Sequence, residues 1–224
     1  MYVKFYDAIK KIGKPTWQRI CGTDYPFLRY EFLASLEDAG SDNEHGSACN
    51  QQSGWQPQHG IVFDGEKPIA AIPLYLKYHS YGEYIFDWAW AEAYQRNGLN
   101  YYPKLLNAIP YSPVTGTRIA IDSDHSKQCQ TIYSTIVSAC KIKCQEEKIS
   151  SCHFLYPQQD LSIALSELQI EQRSSHQYHW FNHSRRGELY LDFNDFLADL
   201  KSRKRKDIKK ERALIAREDI QLER

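Results

Sequence analysis

The chain has no hydrophobic run approaching the roughly 20 apolar residues that a membrane-spanning helix needs. Its opening, MYVKFYDAIKKIG, holds no apolar stretch of signal-peptide length. The expectation is a cytoplasmic protein that does not cross a membrane by itself, with its six cysteines reduced. Those cysteines (Cys21, Cys49, Cys129, Cys140, Cys144, Cys152) lack the pair of short-spaced ligand doublets that a structural zinc site requires, so buried apolar thiols are the preferred reading and no metal is expected. Tyr111 to Arg118, YSPVTGTR, has one glycine and no following Lys-Ser/Thr, which excludes a nucleotide P-loop. There is no internal repeat, no low-complexity tract and no net formal charge.

What is present is ordinary globular material. Of the 224 residues, 42% are hydrophobic and 25% charged, which rules out a disordered or fibrous chain and fits one large domain or two small ones. The 16 tyrosines and 5 tryptophans are less ordinary, because large amphipathic rings favour cores with wet edges and clefts. Between Lys201 and Arg217 there are nine Lys or Arg against Asp207 and Glu211, leaving the remainder acidic.

Patterning then places the elements. VKFYDAI alternates as a first strand, Pro15 suits the first turn of a helix running to Cys21, and Tyr30, Phe32, Leu33 and Leu36 form one helical stripe with Gly40 as its stop. Residues 40–54 read as a polar loop. Asp64-Gly65 between two β-rich runs predicts a hairpin, with Pro68 and Pro73 implying an edge strand or a bulge. AWAEAYQRNG is a helix closed by Gly98, and YYPKLLNAIPYSP a strand or loop. TRIAI (117–121) is a short strand, 126–148 a long helix with Ile132, Ile136, Val137 and Cys140 facing inward, and SCHFLYP a strand. Residues 159–168 form a helix and 174–182 an aromatic strand. Two helical turns in FNDFLADLK then lead into a basic helix, on which only Ile208, Ala213, Leu214 and Ile215 are candidates to face a core. The alternation of strands and helices favours an α/β sheet.

Three segments carry candidate chemistry. The densest runs from His79 to Trp90 (HSYGEYIFDWAW), with an imidazole, two carboxylates and two phenols within nine positions, enough for general acid–base work if they converge. The bland reading is that Asp87 or Ser80 caps the adjoining helix while the aromatics pack. The second, Glu44-His45 through Cys49 to His59, invites a thiolate or metal reading that its spacing argues against. The third is the basic helix from Ser202, whose positive field attracts phosphate. It carries no interleaved aromatic for stacking on RNA.

The strings GSACNQQSGWQPQH and IPLYLKYHSYGEYIFDWAWAEAYQRNGLNYYPKLLNAIPYSPVTGTRI closely resemble the FemAB-like proteins of the GNAT acyltransferase superfamily, strongly over about residues 12–121 and more weakly through SRKRKDIKKER. The resemblance implies an α/β (α+β) fold with a GNAT-like, mixed and mainly antiparallel sheet flanked by helices. It divides the chain into 1–182 and a basic segment, 183–224, that begins an incomplete second unit. It implies an N-acyltransferase related to peptidoglycan chemistry, with acyl-coenzyme A or aminoacyl-tRNA as co-substrate, no tightly bound cofactor, and a small-molecule or peptide amine as acceptor. On this reading Glu83, Asp87 and His79 are the catalytic candidates. Trp55, Tyr81, Tyr84, Thr115 and Arg118 bind substrate, and Lys204 and Arg205 anchor tRNA or another phosphate-bearing ligand. Family members continue well beyond this length, so the chain reads as truncated. The alternative is a non-catalytic binding module for a phosphorylated or amine-bearing ligand.

Overall fold

A computed structural model describes residues 1–38 and 47–218. The chain divides after Gln172 into two compact units. In the first, β1 (Tyr2–Tyr6) leads into α1 (Ile9–Ile12), α2 (Lys14–Cys21) and α3 (Tyr30–Glu37). A hairpin-rich stretch follows: β2 (Trp55–Pro57), β3 (His59–Asp64), β4 (Lys67–Ile72) and β5 (Tyr75–Lys77). Next come α4 (Trp88–Arg96), β6 (Lys104–Asn107), β7 (Ala120–Ile121), α5 (Cys129–Glu146), β8 (Cys152–Phe154) and α6 (Gln159–Glu167).

These strands make two four-stranded sheets, ordered β1-β3-β4-β7 and β2-β5-β6-β8, with every pair antiparallel except β6 and β8. The fold is therefore of mixed α/β class, with mainly antiparallel sheets flanked by helices, as the sequence implies. The first sheet is covered on both faces, because side chains alternate along a strand. Ile61 and Ala71 point into a core with Trp17, Ile20 and Leu33, while Val62 and Ala70 point into one with Ile132, Ile136 and Val137. The hairpin turns at Gly65-Glu66 as Asp-Gly predicts. Pro68 lies opposite a register shift at Val62/Phe63, and β4 pairs on both sides, so the proline marks a bulge rather than an edge.

The same alternation governs the second sheet. Leu76, Leu105 and Cys152 face the core beneath α5. Tyr75, Lys77, Lys104 and Leu106 therefore face the other way, where Trp55, Tyr75 and Leu106 share a smaller core with Cys49 and Leu155.

In the second unit, α7 (Phe193–Asp199) is capped by Asp192, whose side chain accepts from the Asp195 N–H at 2.8 Å, and α8 (Ser202–Arg217) follows. Residues 174–182, expected as an aromatic strand, form none and enter no strand pairing among the described residues, and Tyr178 is 99% exposed. A β-rich composition without a partner edge leaves backbone groups to water. No described residue of α8 is buried, so Ala213, Leu214 and Ile215 do not face a core. The Gly40 stop and the Glu44-His45 pair lie outside the described residues.

Candidate functional site

The registers of β2, β5 and β6 build the site. Trp55 pairs directly with Lys77, and Lys77 with Lys104, so one row crossing three strands reads Trp-Lys-Lys on one face of the sheet. All three side chains are fully buried. A lysine buried on such a row as an ammonium group demands counter-charge. The 78–90 segment supplies it by folding over this face: Glu83 accepts from Lys104 Nζ at 2.7 Å and Asp87 accepts from the same Nζ. Ser80 Oγ lies 3.3 Å from that Nζ and 2.7 Å from the Tyr102 hydroxyl.

Asp87 occupies the N-cap position of α4, yet its side chain makes no capping bond and is directed to Lys104 instead. The helix-cap reading of that residue is thereby replaced by an ion pair. Burial, the largest influence on Asp87, pushes its carboxyl up. It is outweighed by the bond to Lys104, that group's charge, a hydrogen bond from Tyr101 and the nearby His153, so the net direction is down. The His153 Nδ1 stands 4.0 Å from Asp87 Oδ2. Glu83 goes the other way: burial raises its pKa despite Lys104 and Lys77.

Glu83 is 3% exposed, and its second oxygen, Oε1, has no hydrogen-bond partner among the described residues. Neither has the buried indole N–H of Trp55. The two belong to one neighbourhood, since a Cβ placed on Gly82, next to Glu83, would lie 3.0 Å from Trp55 Nε1. Unpaired buried acceptors and donors are costly and uncommon in folded proteins.

Backbone strain collects here as well. Tyr84, Tyr111 and Tyr156 all hold positive φ, of 61°, 56° and 53°. Tyr156 donates to the Glu83 carbonyl at 3.3 Å, and Tyr111 packs 5.4 Å from Trp55 and donates to the Ala48 carbonyl at 2.7 Å. Bulky residues at positive φ cost free energy and cluster at functional sites. The other two non-glycine cases, Lys148 and Gln169, sit just past the ends of α5 and α6, where left-handed residues terminate helices.

Above the buried charges lies an aromatic rim. Tyr81, Tyr84, Phe86, Trp88 and Trp90 are each about half exposed or more, and Phe86 stacks on Trp88 at 4.6 Å. No residue of α4 is buried.

The structure thus brings Glu83, Asp87, Trp55, Tyr81 and Tyr84 into one region. His79 belongs to its edge: its ring packs on Gly54, its Nδ1 accepts the Tyr81 N–H at 3.2 Å, and burial lowers its pKa, with the Lys77 charge adding to that effect. The imidazole beside Asp87 is His153. Cys49 is buried and its thiol is pushed up to about 12 by burial, with Glu37 contributing, so it stays protonated.

Arg118 is fully buried, and its guanidinium donates to the carbonyls of Leu155 (2.6 Å), Thr117 (3.3 Å) and Val114. Those bonds pin the 114–118 loop against the β8 end and use three of the five guanidinium donors. Thr115 is exposed. In the second unit Arg205 donates at 3.0 Å to the carbonyls of Leu197, Ala198 and Leu200, closing the C-terminal end of α7, while Lys204 is exposed. Among the described residues no group of three or more His, Cys, Asp or Glu is arranged to hold a metal ion. No described helix is long and apolar enough to cross a membrane.

Lys77, Lys104 and His153 escape sequence reasoning as members of this cluster. Tyr75-Leu76-Lys77 and Lys104-Leu105-Leu106 do alternate, but a lysine at such a position ordinarily reads as solvent-facing.

A model of the FemAB-like family, described as peptidoglycan biosynthesis/recognition, matches residues 8–224. No curated protein and no solved structure matches the chain.

Proposed function

Because the chain belongs to the FemAB-like family, which places it in peptidoglycan biosynthesis or recognition, we propose that its buried cluster is an acyl-transfer site that takes an amine-bearing acceptor. The observation that carries this reading is the state of Glu83. One oxygen is fixed by Lys104 and the other is buried without a donor. A carboxylate oxygen in that state fits an incoming N–H, and an ammonium supplies three. The unpaired Trp55 N–H is the complementary half, suited to a carbonyl oxygen that gains charge as the acyl carbon is attacked.

Amide formation asks the protein for alignment, oxyanion stabilisation and somewhere for the amine proton to go. Glu83 aligns the amine. Asp87 and Lys104 fix Glu83 in turn, and Tyr81 and Tyr84 form the wall over which the acceptor passes. The donor is an activated acyl ester or thioester, as aminoacyl-tRNA or acyl-coenzyme A would provide. No step requires an enzyme-bound acyl intermediate, in keeping with a protonated Cys49.

Calorimetric titration of the chain with a short peptide ending in a lysine or diamino-acid side chain, as in peptidoglycan stems, tests the acceptor side. Binding that weakens at least tenfold in Glu83→Gln supports the reading. Binding unchanged by Glu83→Gln and by Trp55→Phe places the acceptor elsewhere. Binding without any transfer leaves a recognition module, a role for which the exposed aromatic rim is suited.

A further inference from the structure

Lys77 and Lys104 are cross-strand partners with the same burial and different company. Lys104 holds both carboxylates of the cluster. Among the described residues Lys77 makes one hydrogen bond, to the Tyr81 carbonyl at 3.1 Å, and it stands 3.9 Å over the Trp55 ring. Among the described residues no carboxylate lies within ion-pair distance of it. An ammonium carries three donors and a charge that is expensive to bury unpaired, and here one donor is satisfied. A second cation directly opposite raises the cost further.

We infer that Lys77, buried across the strand pair from Lys104 and with no carboxylate partner among the described residues, is the proton acceptor of the site, taking a proton from an incoming primary ammonium group. The inference rests on the acyl-transfer reading and names its base. Among the described residues four titratable groups face Lys77. Glu83, from the covering segment, favours the charged form, and Lys104 on β6 opposes it. Cys49, from the loop before β2, stays a neutral thiol, and His79 has its own pKa lowered. Burial is the largest influence, and together these bring Lys77 down to about 7. A lysine desolvated beside another cation is one of the established ways to obtain a reactive amine at neutral pH.

The proton balance closes. The substrate ammonium gives one proton to Lys77, and the freed lone pair forms the new C–N bond while the carbonyl π pair moves to oxygen. Collapse restores the carbonyl and breaks the bond to the leaving oxygen or sulfur. That atom takes the second proton from nitrogen, and Lys77 returns the first to solvent.

The test is a pH titration of the full chain carrying lysine labelled with 13C at the ε position, with Lys77→Arg to assign the resonance. The expected result is one lysine with a midpoint near pH 7, against the usual 10.5. Its midpoint should move up in Lys104→Gln, which removes the opposing cation, and down in Glu83→Gln, which removes the favouring carboxylate. Should Lys104→Gln fail to fold, the downward shift in Glu83→Gln decides. A Lys77 midpoint among the ordinary lysines, or one unmoved by the variants, overturns the inference even in an active enzyme. A low midpoint that responds as described, together with acyl transfer, supports the inference; the same midpoint without any transfer leaves Lys77 a neutral buried amine and overturns its role as the base of that reaction through the failure of the transfer reading, not of the titration.

Discussion

Lys77 and Lys104 face one another across β5 and β6, both without solvent exposure, and only Lys104 is neutralised by Glu83 and Asp87. The asymmetry makes one lysine a structural cation and the other a titrating amine. It also makes the two residues respond differently to mutation and to pH.

Removing Lys104 takes from two buried carboxylates the cation they share. Lys104→Met should cost about 3 to 5 kcal/mol of stability, the range found when one member of a buried ion pair is deleted. Adding Glu83→Gln and Asp87→Asn to that variant should recover much of the loss. Urea denaturation of the three proteins checks both statements.

Lys77 sets a slope of stability against pH. Its folded value lies near 7 and its unfolded value near 10.5, so between those limits the unfolded chain binds more protons. Stability should therefore rise as pH increases from 7 towards 10, and the full penalty of a buried charge should be felt below 7. Midpoints of urea unfolding at pH 6, 7, 8 and 9 should show this rise in the wild type and a flatter profile in Lys77→Met. Glu83 acts in the opposite sense on the acid side: its raised value lets the folded state keep a proton longer, so stability falls as pH passes from about 4.5 up through that value.

Gly54 holds φ at +68°, and a Cβ there would come within 2.3 Å of His79 Nε2. Gly54→Ala should displace the His79 ring and cost about 1 to 3 kcal/mol through backbone strain alone. The His79 ring resonances should shift while those of His153 stay in place.

Arg118 spans three backbone carbonyls with a planar fork that lysine lacks. Arg118→Lys and Arg118→Met should both destabilise, the second by about 3 kcal/mol, since buried acceptors are left unpaired. Acceptor affinity, measured at a temperature where each variant is folded, should stay within twofold of wild type.

Much of the scaffold is legible in the sequence because its signals are local. Pro15 marks the start of α2, Asp64-Gly65 the hairpin, and the spacing of Ile132, Ile136, Val137 and Cys140 the buried face of α5. Glu83 and Asp87 stand out for the same reason, being crowded into one short segment. What is not legible depends on pairing between distant strands. The row Trp55-Lys77-Lys104 exists only because of the β2-β5 and β5-β6 registers. Without the registers Lys77 and Lys104 look like ordinary surface lysines, and Arg118 like a free anion ligand. The 174–182 stretch fails for the converse reason: its residues favour a strand, but they enter no strand pairing among the described residues.

In the proposed transfer Glu83 presents to the acceptor amine the oxygen that Lys104 does not hold. Single-turnover transfer of a labelled acyl group from aminoacyl-tRNA and from acyl-coenzyme A to a diamino peptide, followed by mass spectrometry, examines that role. An amide product is expected with one of these donors, and a rate reduced at least a hundredfold in Glu83→Gln with the fold intact. Transfer at the wild-type rate in Glu83→Gln would rule the role out.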